Sequence, residues 1–280
     1  MNQIHPPTHP ESSTNTKNSD RPGTAGWPLV LASLPLILFL LLPLVGLLFR
    51  VSSTMLSSSL KERQVIEAMS LSFSTTLTTV CLTVLFGTPV AYLLARKNFF
   101  GRTLLDALID MPLVLPPAVA GVALLIAFGR RGFLGPILGG AEIPFTRTAV
   151  VLAQLFVASP YYIKSAASGF ANINRELEQA AAVDGATRSQ AFRTIIVPLS
   201  LPSIIGGIVM TWARALGEFG ATIIFAGNFP GRTQTMPLAI YIGFEIDLQI
   251  ALVLAVILLS ISFLVLAIVK GVLGRQLSPL

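Results

Sequence analysis

Six stretches of the chain carry no charged side chain and are dominated by apolar residues: Leu29 to Phe49, Leu71 to Ala95, Met111 to Gly129, Thr148 to Ile163, Thr194 to Ala213 and Leu248 to Val269. At 1.5 Å per residue each is long enough, or nearly so, to cross about 30 Å of hydrocarbon. Inside lipid every backbone amide must find its partner within the segment, so these runs predict six transmembrane helices and an all-α membrane protein over residues 29–280. The fourth run is short unless it continues past Lys164, whose long stem can snorkel toward a headgroup. The Ser/Thr-rich second run is expected to face protein rather than lipid. Pro112, Pro116 and Pro117 at the head of the third run, and Pro198 and Pro202 in the fifth, predict bent or late-starting helices next to protein or a cavity.

Composition agrees with that pattern. Of 280 residues 53% are hydrophobic and only 11% charged, far from the quarter charged that a soluble domain carries, and the mean hydropathy is +0.77. Residues 1–28 are rich in Pro, Ser, Thr and Asn and are expected to be a disordered polar tail, with His5 and His9 as solvated side chains rather than metal ligands. The first apolar run begins too far from Met1 for a signal peptide, so it is expected to stay as a membrane helix. The net charge of +6 reads as cationic loops facing anionic headgroups, not as nucleic-acid binding. The single Cys81 excludes an intrachain disulfide.

An even number of spans places both termini on one side. Arg96, Lys97, Arg102, Arg175, Arg188 and Arg193, with Lys17, Arg21, Lys270 and Arg275, lean that side toward the cytoplasm. Arg130 and Arg131 run against the lean. They would either attract an anion or an acidic docking protein from outside, or be simple loop charges.

The segment Asn172 to Leu199 holds the chemistry between the fourth and fifth spans. Asn174 is a plausible N-cap, and Glu176 and Glu178 occupy the first turn, where carboxylates suit the positive end of the helix dipole. Ala180 and Ala181 form a small-residue patch, and Gly185 supplies a break before a second helical segment. A helical hairpin lying on the membrane and a docking element for another protein fit these residues equally. Further on, Arg214 and Glu218 stand four apart and can pair on one helix face. They are either a gate near a pore axis, with Gly217 and Gly220 allowing close backbone approach and Thr222 beside them, or a structural ion pair. Ser72, Ser74, Thr75, Thr76, Thr78 and Thr79 could line an anion path or pack against neighbouring helices. The sequence holds no GxxxxGK[ST] phosphate loop, HExxH or GxSxG, and no paired-carboxylate site with a nearby histidine, so no catalysis is expected of this chain.

Gln179, Ala180, Ala181, three residues, Gly185, nine residues, then Ile195, Val197 and Pro198 resemble the EAA loop of ABC importer permeases, with Gln179 where Glu is usual and Val197 in place of Leu. The segments MPLVLPPAVAGVALL (Met111 to Leu125), GRRGFLG (Gly129 to Gly135) and RALGEFGATIIFAGNFPGRTQTMP (Arg214 to Pro237) narrow the resemblance to molybdate and tungstate permeases, with sulfate and thiosulfate permeases the alternative. The resemblance runs from about Leu71 to the C-terminus. It implies a six-helix importer permease whose loop at residues 172–199 forms a coupling helix, with Glu178, Gln179, Ala180, Ala181, Gly185 and Pro198 against the ATPase. It also implies a homodimer, two cytoplasmic ABC ATPase subunits holding ATP and Mg, an oxyanion-binding protein, periplasmic or lipid-anchored, and the bacterial inner membrane. This chain itself would hold no cofactor. An ion-gradient-driven secondary transporter is the rival of another class; it predicts mid-membrane carboxylates, and the six runs contain none.

Overall fold

Uninterrupted aliphatic sequence forms uninterrupted helix here, and prolines and glycines decide where it stops. The computed structural model describes residues 26–136 and 142–277. The tail to residue 25, with His5, His9, Lys17 and Arg21, lies outside the described residues, as do the side chains of Lys270 and Arg275. Residues 1–48 form one unit, whose described part belongs to α1 (Gly26–Arg50). Residues 49–280 form the other, with α2 (Ser53–Ser59), α3 (Arg63–Arg96), α4 (Arg102–Val114), α5 (Pro117–Phe128), α6 (Arg147–Ala171), α7 (Arg175–Val183), α8 (Arg188–Ala191), α9 (Val197–Leu216), α10 (Gly220–Phe225), α11 (Met236–Ile246) and α12 (Leu248–Leu277). A π-helical turn, Phe192–Ile196, joins α8 to α9.

Leu29–Arg50, α3, the run Arg188–Leu216 and Leu248–Val269 are long and apolar enough to cross a membrane. The expected third span, Met111 to Gly129, is instead parts of two helices: α4 and α5 meet at Leu115 and Pro116 with a bend of 117°. The proline prediction holds, and its physical cause is local. Pro116 and Pro117 lack the amides that would continue α4, and Leu115 is held extended before Pro116. α6, the expected fourth span, does run past Lys164 and is about 38 Å long. It is less apolar than the others because it is the central helix, packed on α3, α5, α9 and α10, and it places Gln154, Tyr162 and Lys164 against protein.

Three clusters make the core of the second unit. Tyr162, Ile163, Ala166 and Phe170 of α6 pack with Leu94 of α3 and Ile196 and Ile204. Ala149, Val150, Ala153 and Val157 pack with Ala120 and Leu124 of α5 and Ala221 and Phe225 of α10. Val65 and Ala68 of α3 meet Leu216, Met236 and Leu254. Small residues set the helix separations. A methyl on Gly121 of α5 would lie 2.7 Å from Ile224 Cβ and 2.8 Å from the Ala221 carbonyl oxygen, whereas at Gly206 of α9 it would reach only Ser165 Oγ at 4.0 Å. Replacing a helical Gly by Ala gains about 1 kcal/mol of propensity, while overpacking costs about 1–3 kcal/mol. Gly206→Ala is therefore expected to raise the unfolding temperature in detergent slightly and Gly121→Ala to lower it by several degrees.

Of the candidate hydroxyls of α3, those of Thr79 and Ser72 reach other elements. Thr79 donates to Gln154 Oε1 of α6 at 3.1 Å. Ser72 accepts the Met236 amide at 2.7 Å. Thr75 and Thr76 return to their own helix, donating to the Leu71 and Ser72 carbonyls at 2.8 and 2.7 Å. Ser74 and Thr78 do the same on the outer side of the helix.

Candidate functional site

Two helices are interrupted at one depth. α9 ends at Leu216 and α10 begins at Gly220, so the backbone is non-helical close to the Leu115–Pro116 break between α4 and α5. The breaks touch: a methyl on Gly220 would lie 2.5 Å from Pro117 Cβ. Thr211 of α9 donates to the Ala158 carbonyl at 3.3 Å, which sets this region level with the middle of α6. Irregular backbone at that depth is tolerated only where protein buries it or where it lines a cavity.

Glu218 lies in the gap between α9 and α10 and is only 1% exposed. One carboxylate oxygen meets Arg214 Nη1 at 2.7 Å, and the other accepts the Ala221 amide at 2.8 Å, satisfying the start of α10. The expected Arg214–Glu218 pair therefore forms, although Glu218 sits beyond the last helical turn. Arg214 also borders a cavity of about 120 Å³ with Pro112, Leu113, Leu115, Pro117, Val157 and Tyr161. A cation thus faces a small void where both breaks meet. Gly220 provides the close approach that was expected of it. Gly217 does not: a methyl there would meet only the Ala213 carbonyl oxygen of its own helix, at an ordinary 3.6 Å. Thr222 is fully buried with no hydrogen-bond partner for its hydroxyl among the described residues.

At the Ala171 end of α6 the segment 172–199 folds much as its residues predict. Asn174 caps α7 by accepting the Glu176 amide at 3.0 Å, and Glu176 and Glu178 fall in the first turn. Gly185 takes φ +85°, the left-handed conformation that ends α7. Thr187 and Gln190 form a reciprocal capping box on α8. No residue of α7 is buried, and Leu177 and Val183 stand exposed. Glu178, Gln179, Ala180, Ala181 and Gly185 are brought together there, whereas Pro198 lies about 15 Å further along the helix from Arg188. Pro198 shapes the chain. It has no amide, and its ring would crowd the Thr194 carbonyl in a regular helix; the wider π turn just before it relieves both.

Two partners were not legible from the sequence. Arg96 at the end of α3 reaches Glu178 at 2.9 Å and donates to the Ile173 carbonyl at 3.0 Å. The approach to Glu178 is a charge contact without hydrogen-bond alignment, which leaves Glu178 Oε1 and Arg96 Nε without hydrogen-bond partners among the described residues. Lys164 does not snorkel: its Nζ meets Asp106 Oδ1 at 2.7 Å and Asp110 Oδ2 at 2.8 Å, clamping α6 to α4. Because α4 starts at Arg102, well ahead of Met111, this helix brings carboxylates into a region where none was expected. At the opposite end of α6, Arg130 is exposed and 3.6 Å from the exposed Glu142, and Arg131 is exposed beside it.

Residues 84–278 match the family model described as binding-protein-dependent transport system inner membrane component. The chain belongs to this family. As a member of it, the protein is a multi-pass membrane permease of the ABC importer type. It is 40% identical over 233 residues to the molybdenum transport system permease protein ModB of Mycobacterium tuberculosis, covering 82% of this chain and 88% of that one. It is 35% identical to the molybdate/tungstate transport system permease protein WtpB of Thermococcus kodakarensis, covering 86% and 93%. Among solved structures, a bacterial ABC transporter involved in import of the acidic polysaccharide alginate superposes with a TM-score of 0.70 at 18% identity, over 91% of this permease and 97% of that chain. The MetNI methionine ABC transporter gives 0.59 at 17%, over 82% and 100%. These two likenesses establish the importer permease fold.

Proposed function

We propose that this permease imports molybdate or tungstate as a homodimer, driven by two ATPase subunits at the 172–199 loop and supplied by an oxyanion-binding protein at the other face. The observation that carries the reading is α7, a nine-residue helix with no buried residue, fixed at its root by Arg96 and exposing Leu177, Ala180 and Val183 to a partner. An isolated helix this short is marginal in water, so it is kept for what docks on it. The names of the relatives support the substrate, since they are identical to this permease at 35–45% and are described as molybdenum or molybdate/tungstate permeases.

In this reading the loop faces the cytoplasm, and so do both termini. Arg130 and Arg131 face the delivering protein. A dianion cannot dissolve in hydrocarbon and needs a lined but weakly binding path. The Arg214 cation, half-neutralised by Glu218, offers such a point where the two helix breaks meet. ATP can drive the inward-to-outward change only by binding one state more tightly than the other.

The test is reconstitution with an ATPase subunit in vesicles. Hydrolysis is expected to rise with molybdate-loaded binding protein and not with the sulfate-loaded form. Ala181→Arg, which places a bulky cation on the small-residue patch, is expected to reduce that stimulation at least about tenfold, equivalent to 1.4 kcal/mol of docking energy. Labelling of the loop from the external face only would overturn the assignment.

A further inference from the structure

A cleft of about 300 Å³ opens between the last turn of α3 and the α7–α8 loop, lined by Tyr92, Arg96, Lys97, Arg175, Glu178 and Arg188, with Gln179 and three alanines between them. Four cations converge there on a single carboxylate. Arg96 is the buried one, its side chain only 6% exposed, and it spends Nη2 on Glu178 and the Ile173 carbonyl. Its Nε is buried and has no hydrogen-bond partner among the described residues. A buried guanidinium N–H without an acceptor is costly, because desolvation is not offset by a bond. Lys97, Arg175 and Arg188 form no ion pair among the described residues. The site therefore carries three more positive charges than the carboxylate in its lining balances.

Depth points to the source of the missing anion. Arg96 is the last residue of α3, a helix of 34 residues, about 51 Å, which exceeds the hydrocarbon thickness and carries its end into the headgroup layer. Tyr92, one turn earlier, is an amphipathic ring of the kind that settles at that boundary. At that level the most concentrated anion is lipid phosphate, and basic pockets between spanning helices are suited to anionic headgroups. We propose that the cleft between α3, α7 and α8 binds the phosphate headgroup of an anionic phospholipid, with the charge of Arg96 behind it and Lys97, Arg175 and Arg188 donating to its oxygens. The bound lipid would brace the root of α7 from the membrane side. The inference rests on the proposed function only in placing this end of the permease at the inner leaflet.

The test is titration of the purified permease in detergent with phosphatidylglycerol, counting bound lipids by native mass spectrometry, with phosphatidylcholine and inorganic phosphate as parallel probes. Lys97, Arg175 and Arg188 are exposed, so their replacement by Gln leaves the core intact. Each is expected to weaken phosphatidylglycerol binding about fivefold, and the triple variant on the order of a hundredfold. Arg102→Gln, an exposed cation just outside the cleft, is expected to change it less than twofold. Equal weakening by Arg102→Gln and Arg175→Gln would overturn the proposal. So would displacement of the lipid by millimolar inorganic phosphate, which assigns the cleft to soluble anions, or displacement by the ATPase subunit, which assigns it to an acidic partner. The direct lipid titration is run without ATPase or binding protein, which enter only in the competition arm, so its failure leaves the import reading standing, and failure of import coupling leaves the lipid result standing.

Discussion

Glu218→Ala is expected to cost about 3–5 kcal/mol, a large share of the total stability of a membrane domain of this size, because it strips a buried ion pair of one partner. Arg214 would be left charged beside the cavity with no carboxylate partner, and the Ala221 amide would lose the acceptor it has at the start of α10. The measurable result is a sharp fall in membrane yield and in the unfolding temperature in detergent. Glu218→Gln keeps an acceptor for the Ala221 amide and loses only the charge, so it is expected to fold at lower stability. The double variant Arg214→Met with Glu218→Leu removes both charges together, and replacing a buried pair by apolar residues of similar volume is often neutral or stabilising. That variant separates the two roles of the pair. If it folds well but takes up molybdate at least about tenfold more slowly, a loss of 1.4 kcal/mol or more, the pair acts on the anion path. If uptake and ATPase coupling survive in both the double variant and Glu218→Gln, the pair is structural alone.

Lys164→Met is the second large effect expected. Asp106 and Asp110 stand one turn apart on α4 and share a single ammonium, so removing it leaves two like charges facing each other with no cation between them. The groups are a third to a half exposed, which softens the cost from the fully buried case to about 2–3 kcal/mol. Asp106→Asn or Asp110→Asn alone leaves one pair intact and is expected to cost less than half as much. Adding both Asn substitutions to Lys164→Met is expected to recover most of the loss. Unfolding temperatures of the four variants in one detergent would check the ordering; equal effects for Lys164→Met and Asp106→Asn would contradict the shared-cation picture.

These two sites show where sequence reading succeeds and where it stops. Long aliphatic runs such as Leu248 to Val269 announce their helices because nothing polar interrupts them. The loop at 172–199 was equally legible, since Asn174 and Gly185 each act on backbone within a few residues of themselves. The Arg214–Glu218 pair followed from a spacing of four. The bend at Pro116 was legible as a bend, but not as a division into two helices at a steep angle, because an apolar run looks the same on either side of it. Lys164 and Arg96 find carboxylates more than fifty residues away in sequence, and no local pattern encodes such partners. The short helices α2, α10 and α11 escaped notice for a related reason. α2 and α10 are capped locally by Ser52 and Glu218 and α11 by the distant Ser72, and each is too short to show a periodic apolar face of its own.

The contact of Gly220 on Pro117 has a mechanical consequence. α5 and α10 are pressed together on the Arg147 half of α6, so they move as one block, while α4 is riveted by Lys164 to the Ala171 half. Because the hydrogen-bond ladders of both broken helices are already interrupted at the same level, this block can tilt on the rest as on a hinge line without severing any further rung.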